Sequence, residues 1–230
     1  RSWIPSIRWS TPRTGFARRS AGERGSTTAR WSARLSIAVV VALSAACGGP
    51  SQTPSAPLPD ASFDAQVVYS SDAVAIHYTF TNNTSEPVLV LNRPERHGST
   101  AFDAATAYVI GLGGGRVQIS QRMIEKPDTD TDYASLPRIG ATSVGPGGSI
   151  SGDVILPVPL EGYSPWADGE YADGESEPDP VPDDVVFCLG VLSPPFEEPA
   201  TEKEADEWIA LHGSVRDQAL FCSEPVPADR

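Results

Sequence analysis

No apolar run in the chain is long enough to cross a bilayer. The longest, Leu35 to Ala46, holds about twelve residues where a spanning helix needs roughly 20. Histidine and cysteine are sparse, at three residues each. His77, His97 and His212 have no second His or Cys at ligand spacing, which excludes a zinc site of the sequence-local kind. There is no G-x-S-x-G, H-E-x-x-H or Cys-x-x-Cys, and the glycine run Gly113 to Gly115 lacks both the G-x-G-x-x-G spacing and a following G-K-S/T. Asp128, Asp130 and Asp132 alternate as at the start of a calcium loop, yet Tyr133 stands where that loop needs Gly and Ile139 where it needs the bidentate Glu. An enzyme would have to gather its residues from distant parts of the chain; that alternative is a hydrolase with His77, His97 or His212 beside a carboxylate and a hydroxyl in a cleft. The expectation is a protein without catalytic residues, metal or cofactor.

Basic residues are scarce beyond position 34. Eight of the 17 Lys and Arg lie up to Arg34, against the single acid Glu23, and the rest of the chain holds nine basic and 29 acidic residues. The formal net charge of the whole is −13. So acidic a body repels phosphate backbones, which argues against nucleic-acid binding and against reading the arginine-rich front as a nucleic-acid arm. Arg18 and Arg19 are paired as in twin-arginine export signals, but Ser20, Ala21 and Gly22 follow where an apolar residue belongs.

Arg30 and Arg34 precede the apolar stretch, which ends in small residues, the build of a secretory signal peptide. It runs into Ala45-Ala46-Cys47-Gly48-Gly49-Pro50, and here the chain resembles the bacterial lipoprotein precursors. The resemblance implies that the Cys47 thiol is lipidated and that Cys47 becomes the first mature residue. It implies also an extracytoplasmic protein held at the cell envelope through its N-terminal lipid. Ser44 occupies the position of the family's Leu, with Leu43 one place early. Ser44 and Ala46 also fit the small-x-small pattern of ordinary signal peptidase, which would leave a secreted or periplasmic soluble protein. The organisation read from sequence is a basic leader and signal peptide over 1–46, a Pro- and Ser-rich tether over 47–60, and one domain over 61–230. In the tether, Pro50, Pro54, Pro57 and Pro59 among Ser, Thr and Gln favour an extended chain with too little apolar surface to fold.

With Cys47 assigned to lipid, Cys188 and Cys222 remain, both in apolar, strand-like settings. In an oxidising compartment the economical reading is one bond between them. Closing a loop of about 35 residues would contribute roughly 3 to 4 kcal/mol in the chain-entropy model.

The domain reads as strands. Val74, Ile76, Tyr78 and Phe80 alternate with Ala75, His77, Thr79 and Thr81, which turns His77 away from the core. Further strands are expected at Asp64 to Ser70, Val88 to Leu91, Ala107 to Leu112, Arg116 to Met123, Ile150 to Val158 and Asp217 to Cys222. Val185 to Leu192 is apolar almost throughout, as for a central strand buried on both faces. Asn82 and Asn83 begin formal glycosylation sequons, but Asn82 to Pro87 is also what a tight turn wants. Thr201 with Glu204 has the form of a capping box, and Ala205, Trp208, Ile209 and His212 recur at helical spacing, predicting one short helix with Trp208 as a core plug. Residues 161–184 carry Ala-Asp-Gly-Glu twice and prolines at 178, 180 and 182, predicting a mobile, solvated acidic insertion.

The expected fold is an all-β, immunoglobulin-like antiparallel β-sandwich with one short helix. The cadence from Tyr78 to Val90 resembles a hairpin of the immunoglobulin-like sandwiches of bacterial envelope proteins, and is similar also to the intracellular proteinase-inhibitor domain of bacilli. These resemblances imply a non-enzymatic binding or structural module with a protein partner, or a protease inhibitor. Arg93, Arg96 and His97 form the one basic cluster of the exported part and are the candidate ligand-binding residues, beside a solvated-loop reading of the same cluster. Digestion of the protein without reductant should yield a linked peptide pair carrying Cys188 and Cys222; mass spectrometry finding free thiols at both would refute the bond.

Overall fold

The computed structural model describes residues 58–133, 135–166, 170–196, 201–204, 207–212 and 215–228. The leader, Cys47 and the tether as far as Pro57 lie outside them. The strands are β1 (Ala61–Tyr69), β2 (Ala73–Asn82), β3 (Val88–Pro94), β4 (Tyr108–Gly111), β5 (Arg116–Gln121), β6 (Arg138–Val144), β7 (Ser149–Pro157), β8 (Asp184–Leu192), β9 (Thr201–Glu204), β10 (Glu207–Leu211), β11 (Gln218–Cys222) and β12 (Val226–Pro227). One sheet holds β1, β2 and β7 in that spatial order, and the remaining strands form the other. The chain is an all-β sandwich.

The period-two pattern of β2 does what its spacing requires. Val74, Ile76, Tyr78 and Phe80 are buried against the second sheet, while His77 lies on the solvent face and its Nδ1 meets Asp153 Oδ1 of β7 at 2.8 Å. Aromatic rings fill the space between the sheets: Tyr78 stacks on Phe187 at 5.2 Å, and Phe80 meets Phe221 edge-on at 5.3 Å.

The second sheet is arranged about β8, which is buried from Val185 to Leu192. Along one edge β5 runs parallel to Asp184–Leu189 and β3 antiparallel to Gly190–Leu192. Along the other lie β11 and β12, with Ser223 closing the gap by donating its N–H to the Phe187 carbonyl at 2.8 Å. Val185, Phe187, Leu189 and Val191 face the first sheet. The opposite face joins a second apolar cluster with Leu89, Leu91, Tyr108 and Ile110. Cys188 and Cys222 are direct cross-strand partners, with their sulfurs 2.11 Å apart.

Four expectations are corrected. First, the ladder is not wholly antiparallel: β5 and β8 run parallel, and Arg116 clamps the open end of the pair with two hydrogen bonds to Asp184, at 2.6 and 3.0 Å. Second, the short helix is replaced by the hairpin β9–β10. Trp208 to Leu211 is a continuous apolar run that pairs along β6, so sheet hydrogen bonding overrides the local helical pattern. Trp208 is part-buried and meets Phe196 edge-on at 5.3 Å instead of plugging the core. Among the described residues the helical structure is a single 3-10 turn, Val215–Asp217.

Third, the segment after Tyr78 is not a hairpin, because β2 and β3 belong to different sheets. Its turn carries the chain across the sandwich. Buried Asn82 donates its amide to the carbonyls of Glu86 and Val144 and accepts from the Thr84 N–H and hydroxyl, so the turn consumes that side chain completely.

Fourth, the acidic insertion is packed. Leu160, Trp166 and Ala172 are buried, Tyr163 and Ser176 make bridges to Val109 and Gly111 of β4, and Glu175 forms a salt bridge with Arg122 at 2.6 Å. A side chain at Gly111 would strike Ser176 and the Glu177 carbonyl, at 2.7 and 2.8 Å, so only glycine lets the insertion lie on the strand. Arg122 and Glu175 are each only 10% exposed, and Arg122 donates also to Gln118 and the Met123 carbonyl. Glu175→Ala should therefore leave a buried guanidinium without its counter-charge and lower stability by about 3 kcal/mol in urea unfolding; an unchanged midpoint would show that the pair does not hold the insertion.

Candidate functional site

The packed insertion and the connection between β3 and β4 face one another across an open cleft of about 850 Å³. One lip is residues 95–100 and the other residues 162–166, with Tyr171 beside it. The volume lies within the range of small-ligand sites.

The floor is Tyr108 of β4, backed by His212, the residue after β10. Tyr108 is 1% exposed and His212 wholly buried. His212 Nδ1 accepts the Ile124 N–H at 2.7 Å, which assigns the ring proton to Nε2. That nitrogen lies 3.0 Å from the Tyr108 hydroxyl and donates to it. Tyr108 thus accepts from below and keeps its own hydroxyl hydrogen to donate. Burial, reinforced by the charge of Arg122, lowers the His212 pKa to about 3, so the ring is neutral at pH 7. Burial likewise holds the Tyr108 hydroxyl well above its ordinary value.

Aromatic side chains make the walls. Tyr163 lies 5.4 Å from Tyr108 and 5.2 Å from His97, ring centre to ring centre, and donates its hydroxyl to the Glu95 carbonyl at 2.6 Å, tying the lips together. Burial and the Glu95 charge push its pKa up to about 12. Trp166 is 2% exposed, lines the cleft, and meets Tyr133 edge-on at 4.9 Å. Its indole nitrogen is buried and has no hydrogen-bond acceptor among the described residues. Tyr133 and Thr131 in turn hydrogen-bond Glu170, which holds that carboxyl below its usual range and links residues 131–133 to the insertion.

Of the three basic candidates, the structure sets Arg93 apart from Arg96 and His97. Arg93 belongs to β3 and donates to the Ala141 carbonyl of β6 at 3.0 Å. Arg96 and His97 line the cleft, but Arg96 is paired with Asp103 at 2.6 Å. Glu95 is matched by Arg138 at 3.3 Å. Among the described residues no group of three or more His, Cys, Asp and Glu is placed to hold a metal ion. The aromatic residues that define the site were not singled out from sequence. Their signal is the presence of Tyr163, Trp166 and Tyr171 inside a stretch otherwise acidic and rich in Pro and Gly.

The arrangement is suited to binding. Both nitrogens of His212 are committed and the ring is held neutral, so it is not poised for proton transfer near neutral pH. No family model, curated protein or solved structure matches the chain.

His212 also fixes a pH dependence. Its unfolded-state pKa is near 6.5 and its folded value about 3, so between these the unfolded chain binds the extra proton. The contribution is fully present above pH 6.5 and is lost as pH falls toward 3. His212→Gln, which keeps an acceptor for the Ile124 N–H but does not titrate, should show a shallower loss of thermal stability than the parent between pH 6.5 and 4; parallel curves would refute the assignment.

Proposed function

We propose that the chain is an extracytoplasmic lipoprotein, lipidated on Cys47, whose acidic sandwich is a non-enzymatic binding module of the bacterial cell envelope. The observation that carries the binding role is the open cleft of about 850 Å³ walled by the aromatic side chains of Tyr163, Trp166 and Tyr171. The cystine between Cys188 and Cys222 supports an oxidising compartment and leaves Cys47 as the remaining thiol. Partners on this reading are the membrane, through the lipid, and a protein of the envelope. Nucleic acid is disfavoured by the charge.

Two measurements test it. Cys47→Ala should move the protein from the membrane fraction to the soluble extracytoplasmic fraction, and unchanged partitioning would count against lipid anchoring. A photo-crosslinking residue placed at Ser99 on the cleft lip should give adducts in cells that the same group at His77, on the outer face of the other sheet, does not. Equal labelling from both positions would remove the cleft from the proposal.

A further inference from the structure

The two lips of the cleft differ in charge. Residues 161–184, which carry one lip, hold nine acidic residues and no lysine, arginine or histidine. Of these acids Glu161, Asp173 and Glu177 are exposed, and no ion pair among the described residues holds them. On the facing lip the charges cancel, since Glu95 is matched by Arg138 and Arg96 by Asp103. The cleft therefore opens onto a negative field, in a body whose residues beyond Arg34 number nine basic against 29 acidic. The tyrosines of the wall feel that field. Burial, and after it the charges of Glu177 and Glu175, raise the Tyr171 pKa, and burial and Glu95 do the same for Tyr163.

The wall itself is aromatic. Tyr163, Trp166 and Tyr171 line the cleft above Tyr108, and Gly162 admits Tyr171 there, since a Cβ at Gly162 would stand 2.6 Å from the Tyr171 hydroxyl. The face of an aromatic ring is itself negative and attracts a cation within about 6 Å of its centre. Rings and carboxylates on the same lip thus select in the same sense. An anion is repelled by both, and a neutral group gains nothing from either. Among the cations a protein presents, the guanidinium of arginine fits best: it is flat enough to stack on a ring, more weakly hydrated than an ammonium, and carries donors without an acceptor. The volume of about 850 Å³ exceeds what one side chain fills and leaves room for the residues on either side of it.

We infer that the cleft takes a basic segment of the partner protein, with an arginine side chain laid on the rings of Tyr163 and Tyr171 and its charge met by the carboxylates of the insertion lip. This rests on the cleft being the binding site proposed above.

The test uses the purified full chain in detergent, with backbone amide resonances followed by NMR. The probes are the blocked peptide Gly-Gly-Arg-Gly-Gly, its citrulline counterpart, which keeps the shape and loses the charge, and its glutamate counterpart. The arginine peptide should bind saturably, shift the resonances of residues 95–100 and 162–166, and bind about tenfold more tightly than the citrulline peptide, while the glutamate peptide should not bind. Tyr171→Leu, which keeps an apolar side chain without the ring, and Glu177→Gln should each weaken the arginine peptide severalfold; Glu177→Gln serves if Tyr171→Leu does not fold. Asp64→Asn, exposed on β1 of the other sheet, should leave binding unchanged. Equal affinity for arginine and citrulline would overturn the selection by charge yet leave a binding cleft in place. An arginine peptide bound as well by folded Tyr171→Leu and Glu177→Gln chains as by the parent, or weakened as much by Asp64→Asn as by Glu177→Gln, would reduce the binding to diffuse attraction by an acidic surface and overturn the site. Silence toward all three peptides would overturn the inference, and the crosslinking at Ser99 would then decide separately whether the cleft binds anything.

Discussion

Strand β8 has water on neither face, so its backbone groups must find partners within the protein along both edges. That requirement explains the connectivity of the second sheet. Neither β3 nor β5 is long enough to cover β8 alone, and the two divide one edge between them, one antiparallel and one parallel. The other edge is divided between β11 and β12, with Ser223 supplying the bonds in between. The cystine from Cys188 to Cys222 ties β8 to β11 along that second edge. Polar side chains complete the arrangement: Gln218 reaches from β11 over Gly190 to bond both the N–H and the carbonyl of Met123, beyond β5.

The second face of the larger sheet cannot be covered by the first sheet. Over β4 the insertion and the segment around Tyr133 cover it, bringing Trp166, Tyr163 and Tyr171 against Tyr108. The cleft is the seam left where this cover meets the connection between β3 and β4. Its aromatic character follows from its origin as the margin of a core.

Much of the sandwich was legible because period two is a strong signal when one face is buried. The alternation Val74, Ile76, Tyr78, Phe80 located β2 and the outward position of His77, and the unbroken apolar run over β8 marked a strand covered on both sides. Cysteine parity located the cystine. Strand β6 gave little signal, since Gly140, Thr142 and Ser143 dilute its apolar positions and only its neighbours β3 and β10 make it a strand. The segment from Thr201 to His212 carries a helical spacing, and pairing along the edge of β6 overrides it. The cleft was not legible, because its walls come from the connection after β3, from β4 and from the insertion, and of Arg93, Arg96 and His97 only the last two line it.

Gly111 lies under the insertion as a hinge pin lies under a door, where the smallest possible residue sets how closely the cover can sit. A methyl group there would lift residues 176–178 from the strand, and with them the wall carrying Tyr171. The geometry of recognition at the mouth is therefore governed from beneath, by a position no ligand could touch, and natural variation at that one site would retune the aperture while every side chain lining it stayed the same.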